Sequence, residues 1–183
     1  MISPREELRR QIDRRCLKVG EQVTLSSGAK STIYFDLKPL LLDGVTLCSI
    51  CDRLLDYSRR LPIAPIAIGG PAMGANALVA GVCMRAYQMG YGPTLGSIAR
   101  PRKAHGTELA IDNTLPKGTT IVVVDDVITS GASMARACDT FEAAGYRVVG
   151  VIAVVDRCDG GIEMLQARYL SAHALYDLTD FYL

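Results

Sequence analysis

Four near-continuous aliphatic runs dominate this chain downstream of residue 64: PIAIGG (65–70), TLGSIA (94–99), TTIVVVDD (119–126) and RVVGVIAVVD (147–156). They do not alternate apolar with polar residues, so they fit strands buried on both faces and not the half-wet strands of an antiparallel sheet. Helical periodicity fills 75–89 and 132–144 between them. Apolar strand, glycine, helix, repeated, predicts an α/β doubly wound domain with a parallel sheet, in which the run at 147–156 is the last strand.

Upstream the pattern is different. Ser3, followed by Glu6 and an Arg-rich stretch to Cys16, predicts a helix with Ser3 as N-cap and Glu6 at the third helical position. Two short extended segments follow at 23–25 and 32–37, and residues 44–60 are helical by period until Pro62 stops them. This N-terminal part reads as a small appendage to one domain spanning 1–183.

Hydrophobic residues at 49% supply a core, and charged residues at 21% are ordinary globular usage, which excludes disorder of the whole chain. Twenty Lys and Arg against 19 Asp and Glu leave a net charge of +1, so no global field favours nucleic acid or an anionic membrane. Phosphate chemistry must then come from a local site. The charged N-terminus has no apolar leader core, and no run approaches the roughly 18 apolar residues of a membrane span, so the expected location is cytoplasmic. Six scattered cysteines, at 16, 48, 51, 83, 138 and 158, read as reduced thiols. Cys48 and Cys51 share helical spacing with Leu47, Leu54 and Leu55, which favours core packing over a metal site.

The most informative segment is IVVVDDVITSGAS (121–133). A β-branched run meets Asp125 and Asp126, and Val127, Ile128, Thr129, Ser130, Gly131, Ala132 and Ser133 then lead into the next helix. Ligands of open α/β sheets bind at this edge. A hydroxyl-and-glycine loop feeding a helix N-terminus offers several N–H groups and the positive end of the helix dipole, which suits a phosphate monoester. Adjacent carboxylates suit the vicinal hydroxyls of a ribose. The plainer alternative, acids that only cap the following helix, leaves paired carboxylates against an apolar strand without partners. Neither Walker nor GxGxxG spacing is present.

This segment closely resembles the phosphoribosyl pyrophosphate (PRPP) binding sequence of type I phosphoribosyltransferases. LSSGAKSTIYFDLK (25–38), ARPRKAHGTE (99–108) and AVVDRCDGG (153–161) resemble, in order and separation, the N-terminal segment, flexible loop and post-strand Asp-Arg of orotate phosphoribosyltransferases. The resemblance implies the type I phosphoribosyltransferase fold, a central mostly parallel sheet flanked by helices, with residues 1–40 contributing to a small hood. It implies transfer of phosphoribosyl from PRPP to orotate, giving orotidine 5′-monophosphate and pyrophosphate in pyrimidine nucleotide (UMP) synthesis.

Residue roles follow from the same resemblance. Asp125 through Ser133 would hold the 5-phosphate and ribose, with Asp125 and Asp126 at the ribose hydroxyls and Thr129 beside the base. GGPAMGA (69–75) is similar to the pyrophosphate loop, with Met73 where some relatives carry Lys. Arg100, Arg102, Lys103 and His105 match a lid that closes over pyrophosphate and reaches the neighbouring subunit's site, which implies a homodimer. Lys103 and His105 join the two aspartates as the implied catalytic set. Tyr34 and Phe35 match an aromatic pair near orotate, Arg157 matches an arginine that reads the pyrimidine, and Ser26 stands where relatives often carry Lys. Ala99 and Arg100 replace an arginine and a lysine of many relatives. Mg2+ is the implied cofactor, bridging pyrophosphate and ribose oxygens with its waters retained, so no protein metal ligand is expected.

Two other readings stay open on sequence: a transferase for another base, favoured by Ser26 and Met73, and a PRPP-sensing regulator without catalysis. His173 lies beside no motif and is expected to be structural or exposed.

Overall fold

The computed structural model describes residues 2–24, 30–100, 111–169 and 171–181. The chain opens on α1 (Pro4–Cys16), where the Ser3 hydroxyl accepts the Glu6 amide at 3.2 Å. The return half of a capping box is not made. The Glu6 carboxylate instead takes Arg9 and Arg10, each at 2.9 Å, because two guanidiniums outbid one amide.

β1 (Leu17–Thr24) and β2 (Lys30–Phe35) form an antiparallel pair, with Leu17 opposite Phe35, and β1 begins well before the extended segment expected at 23–25. A single turn, α2 (Lys38–Leu41), precedes α3 (Gly44–Arg59). Asp43 caps α3 by accepting the amides of Val45 and Thr46 at 3.1 and 3.2 Å.

The α/β series then runs β3 (Ala67–Pro71), α4 (Asn76–Met89), β4 (Leu95–Ala99), β5 (Ile111–Asp112), β6 (Thr120–Ile128), α5 (Ala132–Ala143), β7 (Arg147–Asp156), α6 (Gly161–Gln166) and β8 (Ala172–Asp177), ending in a 3-10 turn at Leu178–Phe181. The sheet order is β5-β4-β3-β6-β7-β8, parallel except for β5. β7 is therefore not the last strand: β8 adds beside it as a partly wet edge strand, whose AHALYD sequence lacks the aliphatic run that marks the central strands.

Alternate residues of the central strands feed opposite faces. Val122, Val124, Ile152 and Val154 join a core with Leu8, Ile12, Leu54 and Leu78, whereas Ile121, Val123, Val151 and Ala153 join another with Met134, Phe141 and Leu165. α1, α3 and α4 thus cover one face of the sheet, and α5 and α6 the other. Where α3 meets α4, a Cβ on Gly81 would lie 2.7 Å from the Cys51 sulfur, and burial pushes the Cys51 thiol up to about 12. All six cysteines are free thiols, as expected.

The topology also locates a crevice. β4 lies on one side of β3 and β6 on the other, so the chain reverses its direction of winding between them. Their carboxyl ends border the opening where ligands of doubly wound sheets bind. Among the described residues, no helix is long and apolar enough to cross a membrane.

Candidate active site

β6 delivers the acid pair to this crevice but does not end there. It continues to Ile128, with Val127 opposite Val155 and Ile128 opposite Asp156, so the acids sit within the paired strand and not at its tip. Each carboxylate is aimed by the next amide: Asp126 N–H donates to Asp125 Oδ1 at 2.9 Å and Val127 N–H to Asp126 Oδ1 at 2.8 Å. Asp125 is 7% exposed. Burial, then the neighbouring Asp126 charge, raises its pKa well above the ordinary carboxylate range, and burial raises Asp126 also. A buried and a half-buried acid side by side, of like charge, call for hydroxyl donors or a cation from outside.

The two acids border different clefts, although their Oδ1 atoms converge on one turn of backbone. Asp125 lines a cleft of about 180 Å³ with Val127, Ile128, Thr129, Ser130, Gly131, Ala132 and Ser133, the predicted phosphate loop apart from Asp126. Gly131, at φ 73°, is the N-cap of α5 and has no side-chain cap, so the first-turn amides keep their hydrogens for a ligand. A Cβ on Gly131 would also lie 2.9 Å from the carbonyl of Gly161, at the start of α6. Both the backbone angle and the space require glycine.

Asp126 lines a second cleft of about 200 Å³ with Tyr34, Phe35, Lys38, Val127, Thr129 and Arg157. Val127 and Thr129 border both clefts. Arg157 is 7% exposed, donates to Ser31 Oγ at 3.0 Å across to β2, and pairs with Asp159 at 3.3 Å. Its Nε is buried without a partner. Tyr34 and Phe35 divide as neighbours on a strand must: Tyr34 is half-buried, whereas the Phe35 ring packs in the core at 5.2 Å from Phe181 and only backs the cleft.

The β3–α4 turn closes the crevice from the other side. A Cβ on Gly74 would lie 2.7 Å from both Asp125 Oδ1 and Asp126 Oδ1, so the turn's backbone rests directly on the acid pair. Met73 is 83% exposed in this turn and lines neither cleft.

These features have counterparts in known proteins. The phosphoribosyl transferase domain family matches residues 41–166. The chain belongs to the phosphoribosyltransferase family. Its curated relatives include the orotate phosphoribosyltransferase of a Bradyrhizobium strain, 38% identical, with 93% of this chain and 92% of that protein covered. The orotate phosphoribosyltransferase of Pyrococcus abyssi is 31% identical, with 93% and 91% covered. Among solved structures, Mycobacterium tuberculosis orotate phosphoribosyltransferase in complex with PRPP superposes with a TM-score of 0.77 at 26% identity, covering 99% of this chain and 100% of that one. The type I phosphoribosyltransferase fold expected from the sequence is thereby shown.

Set against this phosphoribosyltransferase frame, the predicted site residues sort into groups. Asp125 through Ser133, Tyr34 and Arg157 converge on the two clefts. Arg100 does not: its Nε pairs with Asp112 Oδ1 at 2.9 Å, which holds it at the end of β4 beside a separate groove. Ser26, Arg102, Lys103 and His105 lie outside the described residues. His173 is exposed and packs at a tilt against Tyr57, ring centroids 5.9 Å apart, and lines neither cleft. Sequence reasoning missed Lys38, which lines the cleft of Tyr34 and Arg157 and pairs with Asp36 at 2.6 Å, and Arg136, which lines the cleft at the start of α5. Lys38 stood inside the DLK of the N-terminal segment, and Arg136 lies one helical turn after Ser133. Those spacings were the available signals.

Proposed function

We propose that this chain is an orotate phosphoribosyltransferase, which moves phosphoribosyl from PRPP to orotate with release of pyrophosphate. The observation that carries the reading is the pair of clefts meeting across Val127 and Thr129. One presents uncapped helix amides to a phosphate, and the other is walled by the buried guanidinium of Arg157, a cation suited to an anionic base. A ribose bridging them would lie over Asp125 and Asp126, which border one cleft each.

Bond breaking at the anomeric carbon passes through an oxocarbenium-like state, as in glycosyl transfer generally. Orotate attacks as an anion and needs no strong general base. The acid pair holds the ribose hydroxyls and its negative charge favours the developing cation, while Arg157 orients the pyrimidine. In the β3–α4 turn the Ala72, Ala75 and Asn76 amides donate to backbone carbonyls, which leaves Met73 and Gly74 to offer N–H groups to pyrophosphate, and Lys103 and His105 are assigned to neutralising the leaving group from the lid. Arg102 would add to that charge.

The raised pKa values of Asp125 and Asp126 fit a nearby Mg2+, because a dication would offset two adjacent like charges. Mg2+ would there supply charge neutralisation to the departing pyrophosphate.

A homodimer is part of the proposal. Ala80, Met84 and Tyr87 lie on the exposed face of α4. Met84 and Tyr87 are 50% and 81% exposed, an apolar stripe that a second copy would cover.

The deciding experiment is incubation with PRPP, Mg2+ and a panel of bases, following orotate loss and pyrophosphate release. Orotate alone should be consumed. Consumption of a different base would reassign specificity, and consumption of none would remove the enzyme reading.

A further inference from the structure

We propose that Arg136 is a phosphate-binding residue, and that its guanidinium, not the helix terminus alone, sets this chain's affinity for the 5-phosphate of its sugar substrate. The inference rests on the reading of the Asp125–Ser133 cleft as the phosphate site, and adds to it a residue that the loop motif does not contain.

The charges require such a group. A phosphate monoester carries about −1.5 to −2 near neutral pH. A helix N-terminus offers the equivalent of roughly +0.5. The same cleft is lined by Asp125, whose carboxylate adds negative charge when ionised. Amides and dipole therefore leave most of the phosphate charge unbalanced. Among the described residues that line this cleft, Arg136 is the only cation.

The geometry suits the role. Arg136 lies in the first turns of α5, three residues after Ser133, so the two side chains share a face of the helix. Its Nη2 donates to Ser133 Oγ at 3.2 Å. With an oxygen lone pair used in that way, the Ser133 hydroxyl hydrogen is free to donate to a phosphate oxygen, and the remaining guanidinium N–H groups can donate beside it. Arg136 forms no ion pair among the described residues. Its side chain also borders the groove of about 590 Å³ that runs along α5 past Ser133 and Ala137 to Arg100. It therefore stands on the wall between the phosphate cleft and open solvent, where a flexible cation can fold over a bound phosphate and reduce its hydration.

The test uses ribose 5-phosphate, which carries the phosphate and has neither pyrophosphate nor base, as a titration probe for the full chain and for Arg136→Ala, Arg136→Gln and Arg136→Lys. Because Arg136 is exposed, all three variants should keep the melting temperature of the unaltered chain. Loss of a charge-assisted bond should weaken ribose 5-phosphate binding about tenfold in the Ala and Gln variants, with most of the affinity returned by Lys. In turnover, the KM for PRPP should rise by a similar factor, with kcat and the KM for orotate within twofold of their original values. Binding of ribose 5-phosphate by Arg136→Ala within twofold of the unaltered chain overturns the role of Arg136 and leaves the phosphate site standing. Failure of the unaltered chain to bind ribose 5-phosphate overturns both. A binding loss in Arg136→Ala together with consumption of no orotate upholds Arg136 and removes the base assignment instead.

Discussion

At Asp125, burial and the charge of Asp126 act in the same direction, so the folded chain binds a proton that the unfolded chain releases at ordinary carboxylate pH. Stability is therefore lost as pH rises from that range through the raised pKa, the reverse of a salt-bridged carboxylate. Glu6 shows the usual sign. Arg9 and Arg10 hold it down to about 2 from an ordinary 4.5, so its contribution is complete above 4.5 and fades as pH falls towards 2. Asp125→Asn combined with Asp126→Asn should thus raise the melting temperature of the free protein at pH 8 by about 2–4 °C, corresponding to about 1 kcal/mol for a chain of this size. The gain should shrink towards pH 4, while turnover falls by orders of magnitude. A double variant that melts lower at pH 8, or that turns over normally, contradicts this account of the pair. Function here is held at a cost in stability.

Among the elements, the β3–α4 turn separates two kinds of glycine. A Cβ on Gly70 would sit 2.2 Å from the Val124 carbonyl oxygen and 2.3 Å from the Ala75 Cβ, with rigid packing on both sides. Gly70→Ala should cost stability, about 1–3 kcal/mol as over-packing does, and lower the thermal midpoint. At Gly74 the neighbours are the Asp125 and Asp126 carboxylates, and the backbone is not in the left-handed region. Gly74→Ala should leave the melting curve within about 2 °C and lower kcat/KM for PRPP about tenfold, because the displaced turn no longer rests on the acid pair. Equal effects on stability and turnover in both variants would remove that distinction. The sequence marked this turn through its GG pair but offered no way to tell which glycine serves the fold and which the site. Contacts from β6 made that division.

For the whole molecule, the exposed stripe on α4 and the cationic segment 100–106 argue for two chains sharing two sites. Met84→Glu with Tyr87→Glu should convert a dimer to a monomer in sedimentation, since two charges would replace apolar contact at its centre. A Lys103→Ala chain mixed with an Asp125→Asn/Asp126→Asn chain should regain activity, up to one working site per heterodimer, because one site then has both defects and the other neither. Fully exchanged chains that stay inactive would show that each lid serves its own site.

The aliphatic runs, the helix periods and the IVVVDDVITSGAS segment were legible from the sequence because each depends on residues within a few positions of one another. They specified strands buried on two faces, a phosphate-type loop and acids beside it. Strand order, the edge strand β8 and the reversal of winding around β3 were not legible, because they follow from pairing between distant segments. The same holds within the site. Adjacent acids read as one unit in sequence, yet Asp125 borders the cleft at the start of α5 and Asp126 the cleft of Tyr34 and Arg157. Tyr34 and Phe35 read as an aromatic pair, yet the pleat of β2 leaves Tyr34 at the cleft and takes the Phe35 ring into the core. Local chemistry named the groups; only the assembled sheet decided which of them face the same space.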